Sequence, residues 1–260
     1  MAGETSGTGR GLLSGIRSGF GFAVAIAVAL AWLVTWATSD LAMGLLGSGG
    51  AIRSGSVEAA TFFVIMVVMM IAMMLPSALP MILAFHGISR LEAGRPSKPA
   101  DLLGTAIFVG AYFLVWGAFA VVALYGLGAL GLVGPLMGAI VLVPAIVLLA
   151  AGAYQVTRAK EVCLTHCQSP MMFVMSHWRS GRRGALRMGL HHAMYCLGCC
   201  WLFMLVLFVA GSMSLLWMGL VSVAIFAEKV GTRGVRLSRG IGALFIALGS
   251  ILVARALVPF

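Results

Sequence analysis

Long apolar runs follow one another along this chain, and this feature constrains its fold more than any other. Most of the runs reach about 17 to 25 residues, the length that an α-helix needs to cross the hydrocarbon core of a bilayer. Only 9% of the residues are charged, whereas soluble domains contain about 25%. The sequence therefore predicts an all-α fold, a polytopic transmembrane bundle of about seven helices. The predicted spans are 20–38, 58–80, 104–128, 134–156, 187–211, 213–228 and 239–258.

Basic residues are unevenly distributed between the segments that connect these runs. If the amino terminus lies inside, only Arg53 and Arg255 of the 17 Lys and Arg residues fall on the outer side. Because basic residues concentrate in inside loops, this pattern predicts an inside amino terminus and an outside carboxyl terminus. The net charge of +10 thus indicates membrane orientation, and we expect no nucleic-acid partner.

The polar segments between the runs are short, which predicts a single domain. Residues 1–19 are predicted to form a cytoplasmic tail, and residues 20–258 a transmembrane helical domain. Within this domain, residues 157–186 form a predicted cytoplasmic segment that contains Cys and His. No P-loop motif is present, so any ion transport would depend on an ion gradient or on transfer to an acceptor.

Soft-metal ligands are concentrated in the stretch HHAMYCLGCC, which begins at His191 and holds three of the five Cys and two of the five His residues. On a helix, His192, Cys196 and Cys199 project within an arc of about 60°, and Cys200 lies about 40° further round. His191 points elsewhere. Free cysteine is also a common packing residue. Polar groups are costly inside a membrane and often mark function there, so this face predicts a metal site.

Cys163, His166 and Cys167 form a second group of soft ligands. Their spacing of i, i+3 and i+4 places them on one helical face or in a tight loop. The spacing does not match a paired Cys-x-x-Cys zinc module, so we interpret the group as the place where a soft metal is captured. His177 is a further candidate on the apolar segment MMFVMSHW, which we expect to lie along the inner membrane surface.

Methionines line one face of the run TFFVIMVVMMIAMMLPSALPM. Met70, Met73 and Met74 lie at the membrane depth predicted for the cysteines, and thioethers are ligands for Cu(I). Methionine is equally an adaptable core filler. Pro76 and Pro80 remove two backbone donors near the inner end of the run. This indicates either a broken helix of the kind that forms binding sites in transporters or a mere kink.

Glu228, followed by Lys229, ends the predicted span at 213–228. One interpretation is a solvated interfacial pair with no special role. The other is a carboxylate that collects a cation, or that accepts the protons released when thiols bind metal.

Several separated motifs resemble one protein family: MMIAMMLPSALPM, CLTHCQSPMMFVMSHWRSG, HHAMYCLGCCWLFML and AEKV. Over roughly residues 58–255 the chain is similar to an uncharacterised family of predicted metal-binding integral membrane proteins from bacteria and archaea. The resemblance implies a multi-pass protein of the cell membrane, the inner membrane in a bacterium with two. It implies functional positions at Met73, Met74, Pro76, Pro80, Cys163, Cys167, Pro170, His177, Trp178, Arg179, His192, Cys196, Cys199, Cys200, Trp201, Glu228 and Lys229.

The ligand set leads to one functional hypothesis, the binding of a soft transition-metal ion, with Cu(I) favoured over Zn(II). The ion would be captured at residues 163–167, passed to residues 192–199 and used in metal transport, sensing or cofactor assembly. The expected partners are the lipid bilayer, the metal ion and an acceptor protein in the cytoplasm or membrane. The sequence does not decide the oligomeric state.

Two alternatives compete with this hypothesis. Cys196 and Cys199 have the spacing of a membrane thiol–disulfide oxidoreductase, although a pair near the bilayer midplane is poorly placed to meet protein substrates. Non-covalent haem binding is the less favoured alternative, and the chain has no Cys-x-x-Cys-His motif for covalent haem. We therefore favour a metal-binding protein over an enzyme.

Overall fold

The computed structural model describes residues 19–48, 56–92, 102–129, 142–209 and 215–257, and every regular element in these ranges is an α-helix. Residues 1–18 of the predicted tail lie outside the described residues. The described helices are α1 (Gly19–Gly47), α2 (Val57–Glu92), α3 (Leu102–Ala129), α4 (Leu142–Gln155), α5 (Arg158–Gln168), α6 (Pro170–His177), α7 (Gly181–Val209), α8 (Leu215–Val230) and α9 (Gly234–Leu257).

Five described helices are long and apolar enough to cross a membrane, namely α1, α2, α3, α7 and α9. Helices α4 and α5 pass the same test together but meet at an angle of 66°, which gives up to six spans. The described part of α8 has 16 residues and is shorter than these. The predicted all-α architecture with several apolar helices is thus confirmed. A count of seven spans and the orientation of the termini stay predictions.

Large apolar side chains cover the outer surface of the bundle. On α1, Phe22, Leu30 and Trp36 are all more than half exposed, and on α9 Leu244 and Ile251 are as well. Continuous apolar surface on long helices suits contact with lipid, because lipid tails impose no penalty on exposed hydrocarbon.

Helix α7 lies at the centre of the packing, where α3, α4, α5 and α8 all contact it. Helix α2 packs against α1, α3, α6 and α8. One continuous core includes the methionine face of α2 and the cysteine face of α7. Side chains on the inner face of α7 are therefore enclosed by several helices.

The predicted break at Pro76 and Pro80 is not present. Helix α2 runs without interruption from Val57 to Glu92, with both prolines inside it. Membrane helices tolerate internal proline where neighbouring helices supply polar contacts. The carbonyls that the two prolines leave without an intrahelical donor are those of Ala72 and Pro76. Next to Ala72, the Ser222 hydroxyl of α8 donates a hydrogen bond to the Met73 carbonyl at 3.3 Å.

The segment at 157–186, expected as a cytoplasmic connection, folds back onto the bundle. Thr157 accepts a hydrogen bond from the Lys160 backbone N–H at 3.3 Å and caps α5. Lys160, Leu164 and Cys167 are all buried, and their spacing of four and three residues places them on one helical face. Helix α5 therefore places the ammonium group of Lys160 and the thiol of Cys167 in the protein interior.

Candidate metal centre

Three thiols form the centre of the candidate site. The Sγ atoms of Cys196, Cys199 and Cys200 all lie within 4.8 Å of one another, and each residue is at most 2% exposed. The positions i, i+3 and i+4 on α7 explain this, because residues three and four apart share a helix face. Within the described residues, no other set of three or more His, Cys, Asp and Glu side chains is so arranged. We call these three residues the thiol cluster.

Cys167 adds a sulfur from a second helix. Its Sγ lies 4.0 Å from the Sγ of Cys199, and all five cysteines are free thiols. Two helices, α5 and α7, thus bring four sulfurs into one buried region. A metal bound there would link the helices.

Cys163 lies at the edge of this region and is half-buried. A Cβ atom added to Gly198 would lie 2.6 Å from the Cys163 Sγ. The absence of a side chain at Gly198 therefore allows α5 to approach α7 closely at this point.

His166 does not form a close ligand group with the two cysteines of its predicted group. Its half-buried ring stacks on Tyr195 with a centroid distance of 4.2 Å, and its Nδ1 bonds to the Val162 carbonyl at 2.8 Å. Successive helical residues differ by about 100°, which turns His166 away from the buried face that contains Cys167. The structure does not bring Cys163, His166 and Cys167 together as one ligand set.

His192 is buried one helical turn before Cys196 and is 3% exposed. Its ring stacks against Tyr112 and Phe108, with centroids 5.3 and 5.9 Å away. In the described part of the chain neither of its ring nitrogens has a hydrogen-bond partner. The nitrogens of this ring do not belong to the group of ligand atoms that lie within 4.8 Å of one another. Its two unpaired nitrogens leave it able to accept a ligand.

His177 ends α6 and is half-buried. Its ring centroid lies 6.0 Å from that of His191, which is exposed on α7. The two histidines belong to different helices and are distant in the sequence. The packing of α6 on α7 places their rings side by side.

The predicted methionine ligands Met70, Met73 and Met74 are fully buried on α2. Helix α2 reaches the site through Ser77, whose Oγ lies 3.3 Å from the Nζ of Lys229.

Lys229 and Tyr112 both contact the sulfur of Cys196. The Lys229 Nζ donates to it at 2.9 Å, and the Tyr112 hydroxyl lies at the same distance. Lys229 is only 5% exposed. The solvated interfacial pair considered for Glu228 and Lys229 is therefore wrong, because both side chains point into the core. Glu228 and Lys229 do not form an ion pair with each other in the described part of the chain. The carboxylate of Glu228 pairs with Lys160, and the ammonium of Lys229 contacts Cys196.

Glu228 forms a buried ion pair with Lys160, 2.7 Å apart. Lys160 also donates to the Cys199 carbonyl, so the ion pair adjoins the thiol cluster. Charges of opposite sign compensate each other here. Lys229 remains as a buried cation with no carboxylate partner in the described part of the chain. The electrostatic environment of the thiol cluster is therefore positive.

Sequence reasoning missed Tyr112 and Lys160. Tyr112 lies in an apolar run with no motif, and Lys160 precedes the cysteines in a charged segment. No local pattern identifies either residue, because their contacts with the cluster depend on how α3 and α5 pack against α7. Lys229 did have a signal, since the motif AEKV contains it.

Comparison with known proteins agrees with this geometry. Residues 63–252 match the model of a family described as PpoB2, copper chaperone. No match is found among curated proteins or among solved structures. The expectation of a metal-binding family is confirmed. Since the matched range covers most of the chain and contains the whole thiol cluster, this protein belongs to the PpoB2 copper chaperone family.

Proposed function

We propose that this protein is a copper chaperone embedded in the membrane, which holds Cu(I) at the thiol cluster and passes it to an acceptor protein. The observation that carries the proposal is the group of three buried sulfurs within 4.8 Å of one another on α7. Thiolates are soft ligands that suit Cu(I). Cys167 is the fourth candidate ligand, and the buried methionines of α2 are candidate auxiliary donors.

The charge of the surroundings supports the choice of Cu(I) in this proposal. Cu(I) bound by two thiolates of the cluster, with the third cysteine as a neutral thiol, carries one net negative charge, which the unpaired ammonium of Lys229 balances. A zinc ion enclosed by four thiolates would carry two negative charges in the same buried space. Lys160 offers no further compensation, because Glu228 already neutralises it.

A chaperone must release its cargo as well as bind it. Sulfurs on two helices allow copper to move by ligand exchange, with one sulfur replacing another while the ion stays bound. Helix α7 is long and apolar enough to span the bilayer, so we place the cluster within the membrane. Transport and sensing would use the same site. The chaperone role is the preferred interpretation because it is the described role of the family.

Thiol–disulfide exchange is the second candidate function. The 4.0 Å separation of the Cys167 and Cys199 sulfurs supports it, since a modest movement would allow a disulfide bond. Burial of the cluster opposes it, because a protein substrate cannot reach the sulfurs.

Metal loading under anaerobic conditions tests the proposal. Purified protein in detergent is incubated with Cu(I) or Zn(II) under reducing conditions, and bound metal is counted by elemental mass spectrometry. We expect near-stoichiometric Cu(I), lost in Cys196→Ser/Cys199→Ser and retained in the control Cys163→Ser, which removes a thiol at the edge of the cluster. Equal copper content in the double variant and the wild type would sink the proposal. A metal-free wild type with a reversible disulfide would favour the second candidate.

A further inference from the structure

The burial of the thiol cluster raises the question of how an ion reaches it. Each thiol is at most 2% exposed, so copper must first meet other side chains. A metal site requires a path from the surface. Two histidines at the surface and one in the interior lie along such a path.

The first two are His177 and His191, whose ring centroids are 6.0 Å apart. Nitrogen–metal bonds of about 2 Å would place two imidazole nitrogens about 4 Å apart across one ion, which this spacing accommodates. His191 is exposed and His177 is half-buried. The pair is thus accessible to a metal donor.

The hydrogen bonds of these two rings suit metal binding. The Nδ1 of His191 lies 2.8 Å from the Arg187 carbonyl, and the Nδ1 of His177 lies 3.1 Å from the Phe173 carbonyl. Since a carbonyl only accepts, the Nδ1 of His191 carries the proton and its Nε2 presents a lone pair. The Nδ1 of His177 also lies 2.9 Å from the Ser176 hydroxyl, so its Nε2 presents a lone pair when Nδ1 donates to the carbonyl. Metal-binding histidines are commonly oriented by such a bond from the other ring nitrogen.

His192 connects this pair with the thiols. The Phe173 ring contacts both His177 and His192, with centroids 4.7 and 5.9 Å away. His192 is buried, and both of its nitrogens lack a partner among the described residues. A buried polar group without a hydrogen-bond partner is destabilising. Such a group in a folded protein therefore indicates a functional role. One helical turn, about 6 Å along the axis, separates it from Cys196.

The geometry points to a second metal position at His177 and His191, which receives Cu(I) at the surface and passes it through His192 to the thiol cluster. This inference rests on the proposed function. The transfer moves no electrons: a nitrogen–copper bond breaks as a sulfur–copper bond forms, and copper remains Cu(I). The proton of the incoming thiol leaves the cluster as copper enters it and passes to solvent at the exposed His191. Because thiolates bind Cu(I) more tightly than imidazoles do, the ion moves inward.

The test measures how fast the wild type and His177→Ala/His191→Ala take Cu(I) from a coloured soluble chelate by stopped-flow absorbance. The matched control is His166→Ala. That residue is half-buried, as His177 is, and its Nδ1 also bonds to a carbonyl, but its ring stacks on Tyr195. We expect the double variant to load at least about tenfold more slowly and to reach the same final copper content. His192→Ala should slow loading in the same way, and His166→Ala should match the wild type.

Equal loading rates in the wild type and the double variant would overturn the inference. The inference would also be overturned if Cys163→Ser loaded slowly while the histidine variants loaded at the wild-type rate. That result would place the path on the side of α5. Both results leave the proposed function standing, because the wild type still binds copper. Failure of the wild type to load would instead overturn the proposed function, and the inference with it.

Discussion

Lys229 is the residue whose removal we expect to weaken copper binding most directly without removing a ligand. Its ammonium group is buried and lies 2.9 Å from the Cys196 sulfur. Lys229→Met would leave the negative charge of a copper–thiolate centre unbalanced in a medium of low dielectric constant. We expect the Cu(I) affinity to fall at least about tenfold, measured by competition with a Cu(I) chelator.

Arg239→Met is the matched control for Lys229→Met. It also removes one positive charge, but Arg239 is 61% exposed and its ion pair with Glu161 lies at the surface. Solvent screens such charges, so the copper affinity should stay unchanged. An affinity that falls equally in both variants would show that net charge matters and the contact with Cys196 does not.

Helical geometry alone was sufficient to place His192, Cys196 and Cys199 on one face, and the structure buries that face. The same geometry turned His191 outward, as found. It gave no information on His177, since the partner of that ring lies on another helix. Contacts between side chains of different helices can be identified only when the packing of those helices is known. For this reason the sequence did not predict the histidine pair.

Between elements, the buried ion pair of Lys160 and Glu228 joins α5 to α8. Lys160→Met would leave the carboxylate buried without compensation, which costs about 3–5 kcal/mol. Lys160→Met/Glu228→Leu should recover part of this loss, because it removes both charges. Thermal unfolding in detergent provides the comparison. A double variant less stable than Lys160→Met would contradict this account of the pair.

The approach of α5 to α7 depends on Gly198. Gly198→Ala would place a methyl group 2.6 Å from the Cys163 sulfur, and such overpacking typically costs about 1–3 kcal/mol. Adding Cys163→Ala removes the sulfur and should restore the melting temperature. The control is Gly110→Ala on α3, where an added Cβ meets nothing within 4 Å. A melting temperature equal to wild type in Gly198→Ala would rule out this packing constraint.

At the level of helices, the apolar runs predicted the long spans well. They did not predict that α2 continues through two prolines or that α5 folds back onto α7. The position of α5 arises from a contact between helices, since Lys160 finds its charge partner on α8.

For the whole molecule, the sequence predicted the fold class but not the order of packing. In a membrane protein both the core and the lipid-facing surface are apolar, so hydrophobic periodicity does not show which face of a helix is buried. Cysteines, histidines and charges were the informative residues, because each is costly in lipid. The arrangement of α1 on the outside and α7 at the centre has no comparable signal in the sequence.

Orientation in the membrane is the remaining prediction at this scale. The distribution of basic residues places the amino terminus inside and the carboxyl terminus outside, which requires an odd number of spans. Fusions of a fluorescent protein and of a phosphatase to each terminus would measure this. We expect fluorescence at the amino terminus and phosphatase activity at the carboxyl terminus. Both termini on one side would indicate an even number of spans, such as the six that the bent pair α4–α5 would allow.

The most direct measurement of the central claim is X-ray absorption at the copper edge of the Cu(I)-loaded protein, beside its Cys196→Ser/Cys199→Ser variant. We expect Cu(I) surrounded by sulfur neighbours alone in the wild type, and loss of this signal in the variant. Copper coordinated by nitrogen or oxygen alone, or the same sulfur shell in both proteins, would contradict the assignment of the thiol cluster as the copper site.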